Sequence, residues 1–153
     1  MSAASSFFLR RILACSLILL VAALDFGGHA EAEVPPRVSK VEVYRVHSGH
    51  ARPVPVTRLI HVEVERVLEG VQQMAGTSFS QMPAEYFLFR FPTPVALPDS
   101  PVGYPIREIA VTAPQSAWDP PRLLIRNGQN HWVEYRTSRP LTVLLDQLKE
   151  QGL

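Results

Sequence analysis

The one cysteine of this chain, Cys15, sits in a stretch unsuited to a folded domain, and that position limits what the rest can become. Residues 1–32 have the three parts of an export signal. Arg10 and Arg11 supply a positive start, Ile12–Leu24 ("ILACSLILLVAAL") is an apolar run of 13 residues, and Ala30-Glu31-Ala32 is a small-x-small cleavage site. Crossing a bilayer takes about 20 apolar residues, so the run predicts a cleaved signal and no membrane anchor on the product. The expected location is periplasmic. The arginine pair lacks the flanking pattern of a twin-arginine leader. A lipoprotein cysteine follows its apolar run, whereas most of this run comes after Cys15.

Residues 33–153 are expected to form one domain, with 33–37 a frayed leader. Without a cysteine the domain has neither disulfides nor thiolate chemistry, so its stability must come from an apolar core, which about 120 residues suffice to build. Two basic and two acidic residues leave with the signal, and the net charge stays at +1. No basic block or stripe remains to supply the electrostatic footprint of nucleic-acid binding.

The pattern along the domain mixes both periodicities. "KVEVYRV" alternates Val41 and Val43 with polar neighbours and predicts a strand; "HSGHARPVP" reads as a loop. In the next segment Val56, Ile60, Val64, Val67, Leu68, Val71, Met74 and Ala75 recur at helical spacing. At about 100° per residue they fill a sector of roughly 120°. With Thr57 as N-cap and Gly76 as C-cap, this predicts a single helix over 57–75. "AEYFLFRF" predicts a strand ending at the proline-dense "PTPVALPDSP". Ile106, Ile109 and Ala110 fit a turn or two of helix, and Ile109–Thr112 fits a short strand equally well. "RLLIRNGQNHWVEYR" places Asn127-Gly128 between two apolar runs and predicts a hairpin. Leu141, Leu144, Leu145 and Leu148 predict a closing helix.

No serine has a nucleophile-elbow signature and no glycine-rich phosphate loop is present. His47 and His50 stand three apart in the predicted loop, where a turn can bring both onto one metal ion. Two ligands do not make a zinc site, and the rest would have to come from His61, His131, Glu63 or Asp119. His61, four residues before Glu65, and His131, beside Trp132, read as surface residues. Glu63, Glu65, Arg66 and Glu69 read as a solvated helix face.

The order strand, helix, strand, crossover, hairpin, helix resembles that of the thioredoxin-like superfamily. The local likeness is best in "PPRLLIRNGQNHWVEYRTSRPLTVLLDQLKEQ", where a proline enters a buried strand that ends in an Arg-Asn-Gly turn. The resemblance implies an α/β, thioredoxin-like fold with a mixed sheet of about four strands flanked by helices. It puts Pro121 at the family's cis-proline and sets His47-Ser48-Gly49-His50 where the family carries Cys-x-x-Cys. Oxidoreductase activity does not carry over, because its thiolate is missing. The resemblance also places His47 and His50 beside Asp119, Pro120 and Pro121, through first and third strands that are parallel neighbours, and makes Trp118 and Asp119 part of a partner groove. The chain is further similar to small exported thioredoxin-like proteins encoded with conjugative transfer and integrating conjugative elements. Those pair a signal peptide and a "VEVY" or "VEVF" strand with a proline-led hairpin and a final helix.

The resulting expectation is an exported, non-catalytic binding or assembly module without a cofactor, accessory to a conjugative transfer or secretion apparatus. It would meet a protein partner through His47, His50, Trp118, Asp119 and Pro121. The alternative is a periplasmic metal-binding or metal-delivery protein that uses His47 and His50 as ligands.

Overall fold

Ser48 and Gly49 both adopt positive φ, 48° and 81°, the backbone of a two-residue type I′ turn. They therefore join two strands, β1 (Glu42–His47) and β2 (His50–Val54), that pair antiparallel with His47 opposite His50. The segment predicted as a loop after the first strand is thus a hairpin arm. Its signal was present in Ser-Gly between alternating residues, but Arg52 and Pro53 break the apolar alternation that marks a strand. The computed structural model describes residues 37–76 and 81–151. The export signal and its cleavage site lie outside the described residues.

After the hairpin come α1 (Arg58–Glu69), β3 (Val71–Met74), β4 (Glu85–Val95), β5 (Ile106–Thr112), β6 (Leu123–Arg126), β7 (Trp132–Thr137) and α2 (Leu141–Lys149). The seven strands form one sheet in the order β2-β1-β4-β5-β6-β7-β3, and every pairing in it is antiparallel. This overturns the thioredoxin-like expectation. That fold needs parallel strands joined by helical crossovers, whereas here β4 to β7 run as an uninterrupted meander and Ile106–Thr112 is one of its central strands. No peptide bond among the described residues is cis, so Pro121 is not a cis-proline.

Helix α1 begins where predicted: the Ile60 N–H donates to Thr57 Oγ1 at 3.2 Å. It buries Ile60, Glu63, Val64, Val67 and Leu68, one face at helical spacing. It ends at Glu69, six residues before the predicted end at Ala75. The Thr137 hydroxyl donates to the Val67 carbonyl at 2.9 Å, and the Ser138 N–H donates to the Gly70 carbonyl at 2.8 Å. The end of β7 thus satisfies helix-end carbonyls that would otherwise draw the next turn into the helix. Val71–Met74 instead pairs with β7, with Val71 opposite Thr137 and Met74 opposite Tyr135.

Gly70 permits this change of direction. A Cβ on it would lie 2.6 Å from Thr137 Oγ1, 2.8 Å from Ser138 Oγ and 3.2 Å from the Arg139 nitrogen. Gly70→Ala is therefore expected to lower stability by about 1–3 kcal/mol through overpacking, read as an earlier midpoint in thermal unfolding. An unchanged midpoint would show that this junction has room to give.

The hairpin lies at one edge of the sheet and β3 at the other, so α1 carries the chain across the whole layer. Six inter-strand spacings come to about 29 Å. Twelve helical residues supply about 18 Å, and extended Pro55–Thr57 about 10 Å more. Both helices cover one face. Their apolar residues form a continuous core with Val43, Phe87, Phe89, Phe91, Ile109, Val111, Leu123, Ile125, Val133 and Tyr135. All four leucines predicted for the closing helix are buried in it.

Glu63 corrects the reading of a solvated helix face. It is 4 % exposed and accepts from Arg139 Nε and Nη2, which ties α1 to the start of α2. That carboxylate raises the Arg139 guanidinium above its ordinary range. His61 Nε2 donates to the Val38 carbonyl at 2.8 Å, and the Val38 N–H donates to Glu65 at 3.2 Å. Together they fasten the chain ahead of β1 to the helix. Among the described residues no helix is long and apolar enough to cross a membrane.

Candidate functional site

The register fixes which loops share an end of the sheet. His47 stands opposite Glu85, the first residue of β4, and Tyr86 stands opposite Thr112, the last residue of β5. The β1–β2 turn and the β5–β6 loop (113–122) therefore leave the sheet at the same end. The resemblance placed His47 and His50 beside Asp119 and Pro121 through adjacent parallel strands. The shared end arises differently: β1 and β5 each pair antiparallel with β4, which lies between them. Two strand spacings, about 10 Å, separate them.

The β5–β6 loop is anchored at its base and open at its tip. The Thr112 N–H donates to the Arg122 carbonyl at 3.0 Å, and the Arg122 N–H donates to Thr112 Oγ1 at 2.9 Å. Arg122 also donates to Asp119 Oδ1 at 3.4 Å, which makes Asp119 a loop brace. Trp118, one residue earlier, is 93 % exposed.

The hairpin end is polar. Arg45, His47, His50 and Arg52 line one concavity of about 320 Å3. Arg45 donates through Nε and Nη2 to Glu85 Oε1 at 3.0 and 2.6 Å, and His47 Nδ1 lies 3.8 Å from Glu85 Oε2. The two histidines predicted as ligands do face each other. His61, His131, Glu63 and Asp119, the other donors considered, lie elsewhere, and among the described residues no three His, Cys, Asp or Glu side chains are placed to hold a metal. Two guanidiniums flank the imidazoles, and both repel a cation. Sequence reasoning missed Arg45, Arg52 and Glu85. Period-two spacing of Arg45 with His47, and of His50 with Arg52, would have found the first two once the hairpin was recognised.

A larger groove, about 880 Å3, lies at the opposite end of the sheet and includes Glu42, Arg90, Glu108 and Arg126. These four continue to Trp132 as one cross-strand row on the face opposite α1 and α2. Arg90 and Arg126 share the Glu108 carboxylate. Arg126 also lies 5.5 Å from the Trp132 ring, and Arg90 lies 5.3 Å from the Tyr44 ring. Alternating charge of this kind stabilises a solvated sheet face by itself. Tyr104, on the groove's rim, donates to or accepts from Tyr135 at 3.2 Å. Burial, then that hydrogen bond and the charge of Tyr135, push its hydroxyl well above the ordinary range, so it stays neutral. No family model, curated protein or solved structure matches this chain.

Proposed function

We propose that the chain is an exported, non-catalytic binding or assembly module that serves a conjugative transfer or secretion apparatus. It meets its protein partner at the sheet end formed by the β1–β2 turn and the β5–β6 loop. The observation that carries the contact surface is Trp118, 93 % exposed at the tip of a braced loop. A large apolar side chain left in water forgoes about 1.5–3 kcal/mol of burial, and tryptophan is among the residues that most often dominate binding energy when a partner covers them. Pro114, Pro120 and Pro121 restrict the loop before binding, which lowers the cost of ordering it. His47 and His50 border the same surface. Export is supported by the signal pattern, and the apparatus by the resemblance of the signal and the "VEVY" strand to those of small exported proteins encoded with conjugative elements.

A photo-crosslinking residue placed at position 118 tests the reading in cells that carry the transfer apparatus. The expected product is a discrete adduct with one envelope component of that apparatus. The same probe at Leu59, 64 % exposed on α1, should give none. Trp118→Ala should weaken that complex by at least about thirtyfold while leaving the fold intact. Unchanged affinity in Trp118→Ala would remove this surface as the contact.

A further inference from the structure

The β1–β2 hairpin contains an arrangement that folding alone disfavours. Arg45 stands directly opposite Arg52, and one pair nearer the turn His47 stands opposite His50. Directly opposed residues of an antiparallel pair project from the same face with Cβ atoms about 4.5–5.5 Å apart, and like charges there destabilise the pairing. Glu85, reaching in from β4, contacts Arg45 and His47. Arg52 has no carboxylate partner among the described residues. Arg45, Arg52 and Glu85 together leave one positive charge in excess.

Arg52 also lies on a strand built for exposure rather than for pairing. In this register the backbones of His50, Arg52 and Val54 face β1, while those of Ala51 and Pro53 face outward. Pro53 has no N–H, so the outer edge of β2 offers a single donor and resists the addition of another strand. What the hairpin presents is therefore its side chains. These are a guanidinium fork and two imidazole donors around one concavity, and among the described residues the one carboxylate that touches them, Glu85 beside His47, is already engaged by Arg45.

We propose that this cluster binds a tetrahedral oxyanion, a phosphate or sulfate group, through Arg52, His47 and His50. The inference rests on the reading that this end of the sheet is a contact surface, and it names the chemistry that the surface recognises. The fork of Arg52 matches two oxygens of such a group, and an imidazole N–H of each histidine donates to another. Arg45 remains on Glu85 and contributes its field. No covalent step is involved.

Titration of the folded protein with sodium sulfate, followed by amide chemical shifts at constant ionic strength, tests the proposal. The shifts should centre on residues 45–52. The charged groups facing the imidazoles are Arg45 from β1, Arg52 from β2 and Glu85 from β4. A double variant, His47→Leu with His50→Leu, removes both imidazole donors and should bind at least about tenfold more weakly than the wild type. Arg52→Gln, on an exposed edge strand, should fold normally and also bind at least about tenfold more weakly.

Vesicles of phosphatidylcholine with and without phosphatidylglycerol separate the sources of the group. Binding only to the anionic vesicles, lost in Arg52→Gln, identifies a lipid headgroup. Sulfate or inorganic phosphate binding without vesicle binding identifies a soluble ligand. Trp118→Ala should leave the sulfate titration unchanged, so failure of the partner surface and failure of the anion site are read separately. Shifts centred on Arg90 and Arg126, or equal affinity in wild type and Arg52→Gln, would overturn the proposal.

Discussion

Val67→Asp is expected to remove about 3–5 kcal/mol of stability in urea denaturation, while Val62→Asp on the same helix costs less than about 1 kcal/mol. Val67 has no exposed surface and belongs to the continuous core between α1 and the sheet. A carboxylate there has to be buried without a partner or protonated, and either path destabilises the folded state. Val62 is half-buried at the helix flank, where an aspartate can turn toward water. Equal losses at the two positions would mean that α1 is not held on the sheet by this face.

The second large effect is expected at the centre of the sheet. Phe89→Ala should cost about 3–5 kcal/mol, the combined loss of transfer energy and cavity formation for a buried aromatic ring. Phe89 has no exposed surface and stands opposite Val43 on one neighbouring strand and Ile109 on the other. No flanking side chain can refill that space without leaving its own strand position. Arg90→Ala, the next residue, should cost less than about 1 kcal/mol, because Arg90 lies on the opposite face with its own side chain half exposed, where its ion pair with Glu108 is partly screened by solvent. Total stabilities of such domains are about 5–15 kcal/mol, so Phe89→Ala should leave the protein near the edge of folding at moderate temperature. Near-equal losses at residues 89 and 90 would contradict the assignment of faces.

The candidate site was legible in part. His47 and His50 stand out as a pair in any reading of this sequence, and the structure makes them direct cross-strand partners. Trp118 was legible as a residue worth weighing, but its exposure was not. A tryptophan beside two prolines is equally suited to filling a core edge, and only the path of the β5–β6 loop leaves it in water. Arg45, Arg52 and Glu85 were not legible as a group. They come from β1, β2 and β4, and nothing in their sequence spacing shows that Glu85 returns beside His47 some forty positions later.

Local patterns determined the elements whose partners are also local. A hairpin joins β6 and β7 where Asn127-Gly128 predicted one, though its loop runs over 127–131 with Asn130 at positive φ; Thr57 caps α1, and the four leucines of α2 face the core. In each of these the hydrogen bonds or the apolar face are settled within a few residues. Tertiary structure decided the rest. Residues 71–75 carry apolar side chains at both helical and strand-compatible positions, and the exposed edge of β7 determines which pattern they adopt. Val71 and Met74 pair across to Thr137 and Tyr135, and the Ala75 N–H donates to the Glu134 carbonyl at 2.8 Å. Thr137 and Ser138 meanwhile take up carbonyls at the end of α1. The order of strands was decided in the same way. A strand, a helix and a hairpin in succession are compatible with parallel or antiparallel neighbours, because the alternation of side chains records only which face is buried. Which backbone lies alongside depends on contacts between residues far apart in the chain, and these made a wholly antiparallel sheet of a sequence whose element order resembles that of a mixed one.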